Sequence, residues 1–254
     1  YILQAEQAML HHPQLRAVIC NSHMVADEMA RYYGMPADRL VVIYNGVDTE
    51  VFHPDLVARH RASLRASLGI GATVPLLLFV GSGFARKGVP QLLRALAAMR
   101  ERETQLVVVG ADRKLATLRH LAGTLGLQQR VIFTGPVGDV KPYYGAADGF
   151  VLPTFYDPCP NAVLEAMACG LPVVTTTACG AQEWIRDGEN GSVVAAGAED
   201  ELVNALDRLV TLAGQPAAHA RARAAVSELT LEAMARRLLD LYPRLLAQPG
   251  AGSA

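Results

Sequence analysis

Short, almost uninterrupted apolar runs alternate with amphipathic segments along this chain, and that alternation constrains its fold more than any other feature. Runs at 17–20, 40–44, 75–80, 105–109, 131–133, 149–152 and 172–175 read as strands, with a weaker eighth at 192–195. Between them, segments such as 89–101, 115–126 and 200–213 carry the helical period. Strands apolar throughout must be covered on both faces, which predicts an α/β fold: a Rossmann-like parallel sheet with helices on both faces. In such sheets ligands bind beyond the carboxyl ends of the strands. The loops that leave the strands are therefore where chemistry is expected.

One such loop follows the run at 149–152 and reads Phe155-Tyr156-Asp157-Pro158-Cys159-Pro160-Asn161. Pro160-Asn161 opens a helix, and Gly170 stands where its C-terminal cap is expected. Asp157 thus lies before the helix and Glu165 inside it. The N–H groups of Asn161, Ala162 and Val163 at the helix start can receive a phosphate. Carboxylates that grip hydroxyls, beside donors that take a phosphate, suggest a sugar-nucleotide site. For Asp157 the competing reading is a turn former ahead of Pro158; for Glu165 it is an exposed helical glutamate.

A second loop leaves the run at 75–80 as Gly81-Ser82-Gly83-Phe84-Ala85-Arg86-Lys87-Gly88. A dinucleotide fingerprint would need glycine where Arg86 stands, and no Gly-Lys-Ser/Thr follows for a Walker loop. What remains is a glycine-rich turn carrying two adjacent cations. Arginine binds phosphate in a bidentate manner and lysine acts as a point charge. Cations at a helix N-terminus oppose its dipole by about 0.3–1 kcal/mol, so this pair is better explained with an anion nearby. A solvated cation pair is the alternative.

The loop at 155–161, with Glu165-Ala-Met-Ala-Cys-Gly170-Leu-Pro172 after it, resembles the signature of the family 4 retaining glycosyltransferases, which have the two-domain GT-B fold. That signature is a glutamate, seven residues, a second glutamate, and a small-residue helix ending in Gly-hydrophobic-Pro. Glu165 matches the second glutamate; at the first the chain has Asp157, one methylene shorter. The wording around Asp157 and at Val174-Thr-Thr-Thr-Ala-Cys179-Gly180 is most similar to the lipopolysaccharide core glucosyltransferases, and the likeness runs from about Val18 to Val194.

The resemblance implies roles. Glu165 would hold the ribose hydroxyls, and Asp157 would approach the donor sugar as the second catalytic carboxylate. Arg86 and Lys87, with the N–H groups at Asn161, Ala162 and Val163, would take the diphosphate. Gly83, Gly135, Val137 and Gly180 would line the nucleobase and donor loops, although Gly180 reads equally well as a plain helix-start glycine. Glu183 reads as a cap or surface charge. The donor implied is a nucleotide sugar, UDP-glucose, and the acceptor a lipopolysaccharide, another glycan or a lipid-linked glycan. Configuration would be retained.

The resemblance also implies a domain plan. Residues 1–48 would be the C-terminal remnant of an N-terminal acceptor domain plus linker, and 49–228 the donor-binding domain. Residues 229–247 would be a helix crossing back, and 248–254 a disordered tail. Alternatively, 1–48 simply completes one compact domain. Because GT-B sites form between two domains, weak or absent transfer is expected from this chain alone. Three rivals stay open: a sugar-nucleotide epimerase on the same fold, a non-catalytic nucleotide-sugar binding module, and a dinucleotide-dependent oxidoreductase, against which Arg86 argues.

Composition narrows the partners. A net charge of −1 supplies no positive field for nucleic acid. No run reaches the roughly 18 apolar residues of a membrane span, and no basic-then-apolar leader is visible, so a cytoplasmic location is expected. Ala- and Arg-rich segments at 217–225 and 233–237 read as solvated faces, or as contacts to the inner membrane. Cys20, Cys159, Cys169 and Cys179 form no CxxC pair and read as small buried thiols. The seven histidines form no metal-like set, Asp139 and Asp148 lack an Asp-x-Asp context, and neither metal nor cofactor is expected.

Overall fold

A computed structural model describes residues 2–247; the tail expected at 248–254 lies outside the described residues. They form two compact units, residues 2–46 with 229–247, and residues Val47–Glu228. The first begins with α1 (Ile2–Leu10), β1 (Val18–Cys20), α2 (His23–Tyr33) and β2 (Leu40–Val42). β1 and β2 pair in parallel, with Val18 opposite Leu40. Ser22 caps α2 by accepting from the Val25 N–H, and Gly34, at φ 64°, ends it.

The larger unit is built on six parallel strands: β3 (Leu76–Val80), β4 (Gln105–Val109), β5 (Val131–Gly135), β6 (Gly149–Leu152), β7 (Val173–Thr176) and β8 (Gly191–Val194). Their order is β5-β4-β3-β6-β7-β8. The chain winds outward from β3 to β5, then crosses to β6 beside β3 and winds the other way. Loops leaving β3 and β6 therefore part in opposite directions and open a crevice, the topological switch point of a doubly wound sheet. Both loops singled out in the sequence sit there.

Helices cover both faces: α3 (Leu56–Ser67), α4 (Val89–Ala98), α5 (Leu115–Thr124), α6 (Lys141–Ala146), α7 (Asn161–Ala168), α8 (Glu199–Ala213) and α9 (Pro216–Ala225). α8 shows why such segments fold as they do. Leu202, Ala205, Leu206, Leu209 and Leu212 make its buried stripe, and Glu199, Asp200 and Glu201 complement the dipole of its first turn. α3 escaped the apolar pattern because Arg65 occupies one of its inward positions, leaving only Leu56 and Arg65 buried. α6 is only six residues long, and its Gly145 permits close packing. A Cβ there would lie 2.3 Å from the Leu56 carbonyl oxygen.

The solvated-face reading of 217–225 needs correction. Arg223 on α9 is half-buried and donates to the carbonyls of Phe52 (2.8 Å), Thr49 (3.0 Å) and Ala168 (2.6 Å). The last contact closes the C-terminus of α7, where a cation suits the helix dipole. The final helix, α10 (Leu231–Ala247), belongs to the first unit; Gly46 lies against its backbone, where a Cβ would come within 2.7 Å of Leu231 Cα. No described helix is long and apolar enough to cross a membrane.

Candidate active site

The loop after β3 is held by its backbone. The Phe84 N–H donates to Asp112 Oδ2 at 2.7 Å, beyond β4. From beyond β6, the Phe155 N–H and the Thr154 hydroxyl both donate to the Arg86 carbonyl, at 2.8 and 3.2 Å. Two glycines explain the composition. Gly88 adopts φ 76°, and a Cβ on it would sit 2.0 Å from the Pro153 carbonyl oxygen. Gly81 leaves room for the Lys87 stem, which a Cβ would meet at 2.9 Å.

The loop after β6 is pinned from the β7 side. The Asp157 N–H donates to the Ala178 carbonyl at 3.0 Å, and the Gly180 N–H donates to the Asp157 carbonyl at 2.9 Å. The Thr176 hydroxyl donates to the Thr154 carbonyl at 2.6 Å. So held, Asp157 is 8% exposed and turns its carboxylate to the two cations. Its Oδ2 lies 3.0 Å from Lys87 Nζ and 3.6 Å from Arg86 Nη1. Arg86 also donates to the Tyr156 carbonyl. The turn-forming reading of Asp157 does not describe this geometry. Two cations and one anion meet at the crevice, leaving one excess positive charge in a half-buried setting.

α7 starts beside them. Of the three N–H groups expected to face a phosphate, that of Val163 is taken: it donates to the Pro160 carbonyl at 3.1 Å, tightening the first turn. Val163 is therefore withdrawn as a donor to ligand, and its buried side chain packs into the core. Asn161 and Ala162 are the first two residues of the helix. Gly170, at φ 82°, follows the helix as expected.

Glu165 is not an exposed helical glutamate. It is half-buried, and Oε2 accepts from the Tyr144 hydroxyl at 2.7 Å. Burial raises its pKa from the usual carboxylate value, an effect the Tyr144 hydrogen bond opposes. Tyr144 is fully buried; burial first, and then the charge of Glu165, push its phenol well above the ordinary range.

The remaining candidates stand around this cluster. Gly83 (φ 73°) accepts from the Lys87 N–H at 3.0 Å, and Gly180 opens a short 3-10 helix. Gly135 ends β5 and accepts from the Gly110 N–H, while Val137 is half-exposed just beyond. β5 is an edge strand, so these two share the sheet edge with the Lys87–Asp157 cluster without joining it. Glu183 is exposed. Asp139 pairs with Lys141, and Asp148 with Arg61 and Arg65. Among the described residues no group of His, Cys, Asp or Glu is arranged to hold a metal ion. All four cysteines are buried and outside any disulfide, and burial raises Cys169 to about 12 and Cys179 to about 11. Sequence reasoning missed Asp112, Thr154 and Tyr144. A polar residue just past a strand exit was a signal for the first two; nothing local marked Tyr144.

This geometry is that of a doubly wound α/β domain with an acidic pair at its switch point, and the comparisons agree. The sequence pattern of the glycosyl transferases group 1 matches residues 74–211, and that of glycosyltransferase family 4 matches residues 1–51. The chain belongs to the glycosyl transferases group 1 family. It is 34% identical over 197 residues to an uncharacterized glycosyltransferase of Methanocaldococcus jannaschii, covering 76% of this chain and 50% of that protein. It is 32% identical over 192 residues to the lipopolysaccharide glucosyltransferase WaaG of Escherichia coli, covering 74% and 51%. The chain spans about half to two thirds of the length of the curated relatives it matches. Among solved structures, WaaG aligns with a TM-score of 0.74 at 28% identity over 88% of this chain and 61% of that one. Anabaena HepE in complex with UDP and glucose aligns at 0.79 and 25% identity, over 90% and 63%. The fold is that of the GT-B glycosyltransferases.

Proposed function

We propose that this chain carries the donor site of a retaining glycosyltransferase that moves a hexose, glucose, from a UDP-sugar to a lipopolysaccharide or other glycan acceptor. The observation that carries the reading is the meeting of Lys87, Arg86 and Asp157 at the crevice between β3 and β6, beside the N-terminus of α7. In this reading the bond from the sugar's anomeric carbon to the diphosphate breaks, and its electron pair leaves on the phosphate oxygen. Arg86, Lys87 and the N–H groups of Asn161 and Ala162 stabilise that charge. An acceptor hydroxyl forms the new bond on the same face and passes its proton to the departing diphosphate oxygen. Glu165 holds the ribose hydroxyls. Asp157 faces the donor sugar and keeps the two cations in place.

The donor identity is supported by HepE, solved with UDP and glucose, and the acceptor class by the lipopolysaccharide relatives. Residues 1–48 are assigned to the end of an acceptor domain and its linker, 49–228 to the donor domain, and 229–247 to the returning helix. A cytoplasmic site of action, with peripheral contact to the inner membrane, completes the proposal.

Calorimetric titration with UDP, ADP and GDP, beside Glu165→Ala, tests it. Preferential UDP binding that weakens in the variant is expected. Failure of every nucleotide to bind the folded protein would overturn the donor-site reading.

A further inference from the structure

We propose that Tyr144 is a positioning residue for the nucleotide, acting through Glu165. The inference rests on the ribose role proposed above for Glu165. Tyr144 sits on α6 with 0% exposure, its ring set edge-on to Phe52 at 5.6 Å and tilted against Phe150 at 6.1 Å. A phenol sealed this deeply needs hydrogen-bond partners, and both of its partners lie on α7. It donates to Glu165 Oε2 at 2.7 Å and approaches the Ala162 carbonyl at 3.3 Å.

Two consequences follow from that geometry. Oε2 is occupied, while Oε1 has no hydrogen-bond partner among the described residues, so one oxygen of the carboxylate is left to accept from a ribose hydroxyl. The same hydroxyl touches the first turn of α7, the turn whose open end is assigned to the diphosphate. A phenylalanine would fill the aromatic pocket equally well. It would leave a half-buried carboxylate without its donor, free to rotate away from the ligand.

The titratable groups coupled to Glu165 are Tyr144 from α6 and Cys169 at the end of α7; Arg223 from α9 acts on Cys169 and donates to the Ala168 carbonyl. Burial keeps the Cys169 thiol neutral from acid to mildly alkaline pH, and UDP and 2′-deoxy-UDP share the same titrating phosphate, so the difference between their acid limbs reports Glu165. A hydrogen bond donated to a carboxylate favours its charged form. Losing that bond moves the acid limb to higher pH.

The test is calorimetric titration of UDP and 2′-deoxy-UDP from about pH 5 to 8 with the parent chain, Tyr144→Phe and Glu165→Gln. Tyr144→Phe is expected to weaken UDP about tenfold and 2′-deoxy-UDP much less, with the acid limb displaced upward. A purely structural role would weaken both nucleotides alike and leave the limb in place. Loss of discrimination in Glu165→Gln with parental behaviour in Tyr144→Phe would overturn the Tyr144 role alone. Parental behaviour in both would overturn the ribose reading and this one together. If Tyr144→Phe fails to fold, Phe52→Leu loosens the ring while keeping the hydroxyl. It should lower the UDP to 2′-deoxy-UDP preference about two- to threefold, and an unchanged preference would overturn the proposal.

Discussion

Lys87 and Asp157 leave two different strands, β3 and β6, and meet with 3.0 Å between Nζ and Oδ2, both side chains nearly buried. Asp157 thus acts as an internal counter-ion for the cations assigned to the diphosphate. The pair is a structural element as well as part of the candidate site.

Asp157→Asn should therefore cost stability, about 3 kcal/mol, because Lys87 is left charged, mostly buried and beside Arg86. UDP would supply the missing anion. The gap between variant and parent, read by urea unfolding, should narrow at saturating UDP. An equal gap with and without UDP would mean that the cations do not meet the diphosphate.

Glu165 carries a stability cost that depends on pH. Its folded pKa is raised above the ordinary 4.5, so the folded state favours the protonated form. That cost is fully present above the folded pKa and disappears below the unfolded one. Glu165→Gln should be more stable than the parent at about pH 8, with the advantage closing as the pH falls through the carboxylate range. Thermal melts across pH check the sign. UDP affinity should move the opposite way and fall.

At Gly88 the expected effect combines conformation and space. Gly88→Ala places a side chain at φ 76° and a Cβ against the Pro153 carbonyl. A loss of about 2–4 kcal/mol is expected, together with loss of UDP binding, since the preceding residues are Arg86 and Lys87. Stability near that of the parent in a calorimetric melt would contradict the close approach of the two loops.

Arg65 gives a contrasting case, 2% exposed and remote from the crevice. It donates to the carbonyls of Ala146 (3.0 Å), Gly71 (2.9 Å) and Val74 (2.8 Å), and pairs with Asp148 at 2.7 Å. Asp148 in turn accepts from the Leu76 N–H at the start of β3. Arg65→Met should cost about 3–5 kcal/mol by leaving Asp148 half-served. These contacts lie at the N-terminal ends of the strands, so UDP affinity of the folded fraction should be unchanged.

The alternation of apolar runs and amphipathic segments made the sheet and most helices legible, including the weak strand at Gly191–Val194. α3 and α6 were not legible. One turns an arginine inward and the other has six residues, so neither shows an apolar period. Val163 illustrates a finer limit. Its place at a helix start suggested a donor to ligand, but a tightened first turn spends that N–H on Pro160.

By itself the sequence determined the parallel α/β architecture, the two loops that leave β3 and β6, and the residue types they carry. Those are matters of periodicity and short-range spacing, which local chemistry dictates. Only the tertiary structure decided that Asp157 would face Lys87, that Tyr144 would reach Glu165, and that Arg223 would close α7. Each of these joins segments distant in the chain, and which distant side chains meet is set by strand order and helix packing rather than by any local pattern.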